Sequence, residues 1–176
     1  MHQRGVRARK FALADPLKNV AMHLVGMPHD VAFGDNIDTT ERERLREMWT
    51  AYGRNGRRWL QWIGTELGRD QIDPAVWTDR AVDEVIEDDR GTEVFVISDC
   101  RFHNERVGLR QKFLDRYVSF IALRVHRPGV SVNLDHPSES ELAGMDDSMF
   151  DFVIFNDDSP EHLREEVKRF LTAVQV

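Results

Sequence analysis

Apolar positions change their spacing several times along the chain, and each change predicts an element. Val6 to Ala14 carries Phe11 and Leu13 among small and basic residues and ends at Asp15-Pro16, a helix cap followed by proline. A strand should therefore feed a helix running from Pro16 to about Val25. Glycine, proline and polar residues from Gly26 to Asp38 predict a loop. Thr40 with Glu43 has capping-box spacing, and Leu45, Met48, Trp49 and Tyr52 recur at helical intervals, so a helix is expected from about Thr40 to Tyr52. After a break at Gly53 to Gly56, Trp59, Leu60, Ile63 and Leu67 line one face of a helix over Arg57 to Gly68. Asp73-Pro74 repeats the start signal, and Val76, Trp77, Val82, Val85 and Ile86 carry another helix toward Gly91.

Thr92 to Ser98, TEVFVIS, is β-branched, aromatic and continuously apolar in its middle, the pattern of a strand buried on both faces. A polar helix from His103 to about Arg116 follows, then a strand over Val118 to Val125 and a loop rich in Pro, Ser, Asn and Asp to about residue 137. Phe152 to Phe155 is the last short strand and Pro160 to Val174 the last helix. Alternating strands and helices predict an α/β fold, a parallel sheet with helices on both faces.

Length narrows this further: 176 residues suffice for one domain with a full core and are short for two, so a single domain is expected. With 41% hydrophobic and 31% charged residues, the chain is too apolar to be disordered. The longest apolar runs, FVI and FIAL, are far below a membrane span, and the start MHQRGVRARK is followed by too short an apolar stretch for a signal peptide. A lone cysteine, Cys100, allows no internal disulfide and suits a reducing cytoplasm. The net charge of -7 argues against coating long nucleic acid. Arginines nonetheless cluster at 4 to 9, 54 to 58 and 101 to 110, and a guanidinium fork suits a small phosphorylated ligand.

Ligands of open parallel sheets sit beyond the carboxyl ends of the strands. That rule singles out Asp15 and Lys18, Asp99 and Arg101, His126 and Arg127, and Asn156. Acids and arginines at neighbouring strand ends suit phosphate with a metal: a carboxylate such as Asp99 can hold Mg²⁺ directly or through water, while arginines balance oxygen charge. On the helix over 57 to 68, Arg57, Gln61 and Thr65 share the face opposite the apolar one, and Gly64 and Gly68 leave room for a ligand near the backbone. A solvated amphipathic helix explains the same spacing.

FALADPLK at 11–18, GRRWLQWIGTELGR at 56–69, DPAVW at 73–77, VISDCRFHNE at 96–105 and HPSE at 136–139, in this order, cover nearly the whole chain. In them the sequence resembles the phage-type deoxynucleoside monophosphate kinases, which belong to the P-loop nucleoside monophosphate kinases. The resemblance implies a deoxynucleoside monophosphate as substrate, ATP as phosphoryl donor and Mg²⁺ as cofactor, in the host cytoplasm if a phage encodes the chain. It implies a helical monophosphate-binding part at about 26–90 and a lid-like loop at about 126–145. Lys18 would lie near the acceptor phosphate and Asp15 at the base of its pocket, as ligand contact, helix cap or both. Arg57, Gln61, Thr65, Arg69 and Trp77 would line the substrate site. Asp99 would stand near metal and phosphates, Arg101 would clamp a phosphate, and Arg124 and Arg127 would close over it from the lid, where His136 and Glu139 also stand. Glu105 reads either as a partner of Arg101 or as an ordinary helix charge, and Cys100 as a packed small side chain.

One departure matters. The family's donor site requires G-x-x-x-x-G-K-[ST], whose backbone N–H groups and lysine hold the phosphates, and these 176 residues do not contain it. The expected fold thus lacks the first strand and P-loop, with MHQRGV reading as the end of the preceding helix. Either the chain starts at an internal Met, the favoured explanation, or donor binding is lost and the protein binds nucleotides without catalysis. The preferred base and the oligomeric state, a homodimer included, stay open.

Overall fold

Strand β1, Ala8–Phe11, pairs in parallel with β4, Val94–Ile97, in a register that sets Ala8 against Val94 and Phe11 against Ile97. Parallel neighbours require a long crossover, and everything between these two strands supplies it. The computed structural model describes residues 6–35, 37–129 and 137–175. They form two units, one spanning Arg7–Cys100 and one beginning at Arg101. Each is taken by itself.

In the first unit the crossover is helical. Helix α1 spans Asp15–Val25 and stops at Gly26, whose φ of 67° suits a residue without a β-carbon. Helices α2, His29–Ala32, and α3, Thr39–Met48, follow. The cap of α3 is Asp38, whose side chain accepts the Glu41 N–H, so the helix starts just before the expected Thr40. It also ends earlier than its apolar spacing suggests. Thr50–Ala51 (β2) and Arg54–Asn55 (β3) fold into an antiparallel hairpin. Its two-residue turn, Tyr52-Gly53, has φ of 51° and 74°, both left-handed as a tight hairpin requires.

Asn55 then caps α4, Gly56–Trp62, by accepting the Arg58 N–H. The helix widens into a π-helical stretch, Ile63–Ile72, before α5, Val76–Ile86. Trp77 explains why glycines stand in the widened part. Its indole N–H donates to the Gly64 carbonyl at 2.8 Å, and a β-carbon on Gly68 would come within 2.5 Å of its ring. Gly68 therefore makes room for Trp77 and Gly64 for Leu17, where the sequence suggested space for a ligand. Ala21, Met27, Val31, Ala32, Ile63 and Trp77 form the helical core.

The second unit contains α6, His103–Leu114, β5, Leu123–His126, α7, Pro137–Gly144, a 3-10 turn at Asp147–Met149, β6, Phe152–Phe155, and α8, Pro160–Ala173. β5 and β6 pair in parallel, Leu123 against Phe152 and His126 against Phe155. The expected strand from Val118 begins only at Leu123, because the preceding residues are committed elsewhere. Val118 N–H closes the end of α6 on the Phe113 carbonyl, Phe120 stacks on Phe113, and the Ala122 N–H goes to the Asp151 carboxylate at 2.7 Å. Leu109, Phe113, Ala122 and Ile154 are buried here.

The fold is α/β with parallel pairing, built among the described residues as two parallel pairs and a hairpin. β4 has one strand neighbour among them, and Val96 is 46% exposed although its sequence reads as buried on both faces. No helix among the described residues is long and apolar enough to cross a membrane.

Candidate functional site

The carboxyl ends of β1 and β4 lie side by side, and the Ser98 N–H continues their ladder onto the Phe11 carbonyl. The residues that follow interlock. Asp99 Oδ1 accepts the Leu13 N–H at 2.6 Å and Oδ2 the Ala14 N–H at 3.0 Å, so one carboxylate after β4 holds the loop after β1. Asp15 is the first residue of α1, with Ala14 at the cap position. Its carboxylate reaches back to the Ala12 N–H at 2.9 Å rather than forward into the helix, which replaces the expected cap by a lock on the loop. The other Asp15 oxygen accepts Lys18 Nζ at 2.8 Å. That ammonium also lies 4.8 Å from the centre of the Phe33 ring, which His29 stacks on from 5.0 Å.

The result is a short rigid loop with a half-buried lysine at a fixed place. An ammonium has three donors, and the Asp15 bond uses one of them, so Lys18 retains donors for a phosphate oxygen. Asp99 can also fit a hydrated metal. Each of its oxygens is engaged by one backbone N–H and keeps a second lone pair, enough to accept from a metal-bound water. No group of three or more His, Cys, Asp or Glu side chains among the described residues is arranged to chelate a metal.

Along α4 and the π-helical stretch the predicted residues divide. Gln61 and Thr65 are exposed, as their face requires, and Arg69 is half-buried. Arg57 is half-exposed and donates to Glu43 at 2.7 Å, with Glu47 at 3.9 Å. Burial works against the Glu43 charge, but the Arg57 hydrogen bond and the Arg46 and Arg57 charges outweigh it and hold the carboxyl below its ordinary value. Trp77 belongs to the core, with its N–H committed to Gly64, so the structure gives it a packing role in place of the expected pocket wall.

In the second unit, Glu105 is buried and accepts the N–H groups of Arg101 and Phe102, closing the start of α6. The Arg101 side chain is exposed. Arg124 is mostly buried and donates to the Met145 and Leu142 carbonyls, pairs with Asp147 at 3.1 Å and lies over the Phe150 ring. It ties the end of α7 to β5, where the lid reading expected a phosphate clamp. His126, stacked on Phe155, shares Asp147 with it at 2.9 Å. Arg127 is exposed. His136 lies outside the described residues, and of Glu139 only its place in α7 is described.

Sequence reasoning passed over Phe33, whose ring the Lys18 ammonium covers, and Arg42, which reaches the Phe33 carbonyl. Phe33 stood in a segment read as loop, and Arg42 in a helix where six of ten residues are charged. Neither position carries a local signal.

The family profile described as deoxynucleotide monophosphate kinase matches residues 29–167, more than half of the chain. A protein of Acanthamoeba polyphaga mimivirus, provisionally named deoxynucleotide monophosphate kinase, is 26% identical over 167 residues, 89% of this chain and 79% of that protein. The deoxynucleoside-5'-monophosphate kinase of Escherichia phage T5 is 35% identical over 87 residues, 49% of this chain and 34% of that protein. The chain belongs to the deoxynucleotide monophosphate kinase family.

Proposed function

We propose that the chain binds a deoxynucleoside 5′-monophosphate at the carboxyl ends of β1 and β4, and that with a donor-binding segment it transfers the γ-phosphoryl group of ATP to that monophosphate. The supporting observation is the loop lock: Asp99 and Asp15 fix the backbone of residues 12–14, and Lys18 projects from the helix that this loop starts. Lys18 takes an acceptor-phosphate oxygen, and the fixed loop holds that oxygen in place, which lowers the entropic cost of transfer. Arg57, Gln61, Thr65 and Arg69 form the substrate side of the site. Mg²⁺, when bound, supplies charge neutralisation of the donor phosphates, and Asp99 would hold it through water.

Transfer also needs a cradle for the donor phosphates, and these 176 residues contain no G-x-x-x-x-G-K-[ST]. That departure supports acceptor binding as the chain's own activity and phosphoryl transfer as an activity requiring further sequence. Calorimetry tests it: a deoxynucleoside monophosphate should bind more tightly than ATP, whereas tighter ATP binding would reverse the assignment. A coupled assay of ADP release, on this chain and on one extended by any upstream in-frame P-loop segment, separates a binding protein from a kinase.

A further inference from the structure

Helix α3 reads TTERERLREM and carries three arginines and three glutamates. Arg44 pairs with Glu41, and Arg46 pairs with Glu43, which Arg57 shares. Glu47 accepts from Asn55 and lies near Arg57. Arg42 has no ion-pair partner among the described residues. In a chain with 31 acids against 24 lysines and arginines, on a helix where every other arginine has found an acid, this is a selective omission.

The Arg42 side chain is not simply trailing in water either. Its Nε is buried without a hydrogen-bond partner, and its Nη1 reaches the Phe33 carbonyl only at 3.5 Å, the outer limit of such a bond. Its aliphatic stem lies on Gly34, where an added β-carbon would fall 2.5 Å from Cδ, and Gly34 has a φ of 63°. The turn is thus shaped around this side chain. The same Phe33 receives the Lys18 ammonium on its ring face. A half-buried guanidinium left without a counter-ion is costly, and a ligand dianion would remove that cost.

We propose that Arg42 is a phosphate ligand of the acceptor site, gripping the monophosphate together with Lys18 across Phe33; this rests on the monophosphate reading above. The fork of the guanidinium suits two phosphate oxygens, whereas Lys18 supplies a point charge. Arg44, more exposed and paired with Glu41, provides the control on the same helix.

The test measures binding of the four deoxynucleoside monophosphates, with inorganic phosphate as competitor and the ³¹P resonance of the ligand as reporter. Wild type, Arg42→Ala, Arg42→Lys and Arg44→Ala are compared, each with its melting temperature. Arg42→Ala should lose about tenfold or more in affinity and leave a smaller ³¹P shift on binding. Arg42→Lys, which keeps the charge and the stem, should recover part of the affinity, and Arg44→Ala should match wild type. Wild-type affinity and ³¹P shift in Arg42→Ala, while Arg44→Ala also binds normally, overturn this assignment and leave the monophosphate reading standing. If wild type binds none of the four nucleotides, both fall. If Arg42→Ala does not fold, Arg42→Lys decides: an unchanged ³¹P shift and affinity in that variant overturn the fork contact.

Discussion

Asp99 lies 86 positions after Leu13, and its Oδ1 accepts the Leu13 N–H at 2.6 Å. With the Ala14 bond it makes a single carboxylate the link between the two strand ends that define the site. A side chain read as a metal and phosphate acid is also the peg that holds the lysine-bearing loop. The two roles are compatible, since backbone donors take only half of its lone pairs.

Asp99→Ala should therefore lower stability as well as binding. It strands two backbone N–H groups, one on Leu13, which is only 4% exposed, and should cost about 2 to 4 kcal/mol in urea unfolding. A loss below about 0.5 kcal/mol, as at ordinary surface sites, would mean the loop stands without this peg.

Arg57→Ala tests the helical side of the substrate site. Arg57 is half-exposed, so removing its pair with Glu43 should change stability by less than about 1 kcal/mol. Monophosphate affinity should fall by roughly ten- to a hundredfold if Arg57 turns to the phosphate on binding, while Arg90→Ala leaves it unchanged. Equal affinities in calorimetry would leave Arg57 as a tether between α4 and α3.

Gly68→Ala should destabilise the first unit by about 1 to 3 kcal/mol, because the new methyl meets the Trp77 ring. The two positions should be coupled: in a Trp77→Phe background, which removes the part of the indole that the methyl meets, the same substitution should cost less. Additive losses across the double-mutant cycle would show that Gly68 is needed for its backbone instead.

Acid should weaken the second unit through Asp151. Burial opposes its charge, but the Ala122 N–H and Arg110 outweigh that and hold the carboxyl below its ordinary 3.8. The folded state then binds fewer protons than the unfolded one. Its contribution is complete above about pH 4 and drains away as pH falls through the lower folded value. Asp151→Asn should be less stable than wild type at pH 7, and the gap in Tm should narrow below about pH 4. A gap constant with pH would assign the loss to packing.

The helix starting at Asp15-Pro16, the strand at Val94–Ile97 and the closing strand and helix were legible in the chain, because periodicity and capping are local and a few neighbours decide them, whereas the short helix at His29–Ala32, the hairpin over 50–55 and the helix at Pro137–Gly144 were not. The family resemblance was legible for a related reason: its blocks are short runs. Pairing over distance was not. No spacing rule says that Asp99 serves Leu13, that Trp77 donates to Gly64, that Arg124 caps the end of α7 or that Asp151 takes the Ala122 N–H and delays a strand. A polar side chain of given type looks alike in sequence whether it waits for a ligand or satisfies a buried backbone group. Only the folded arrangement, which decides what stands within hydrogen-bond reach, separated Arg42 from the arginines already paired with acids of the protein itself.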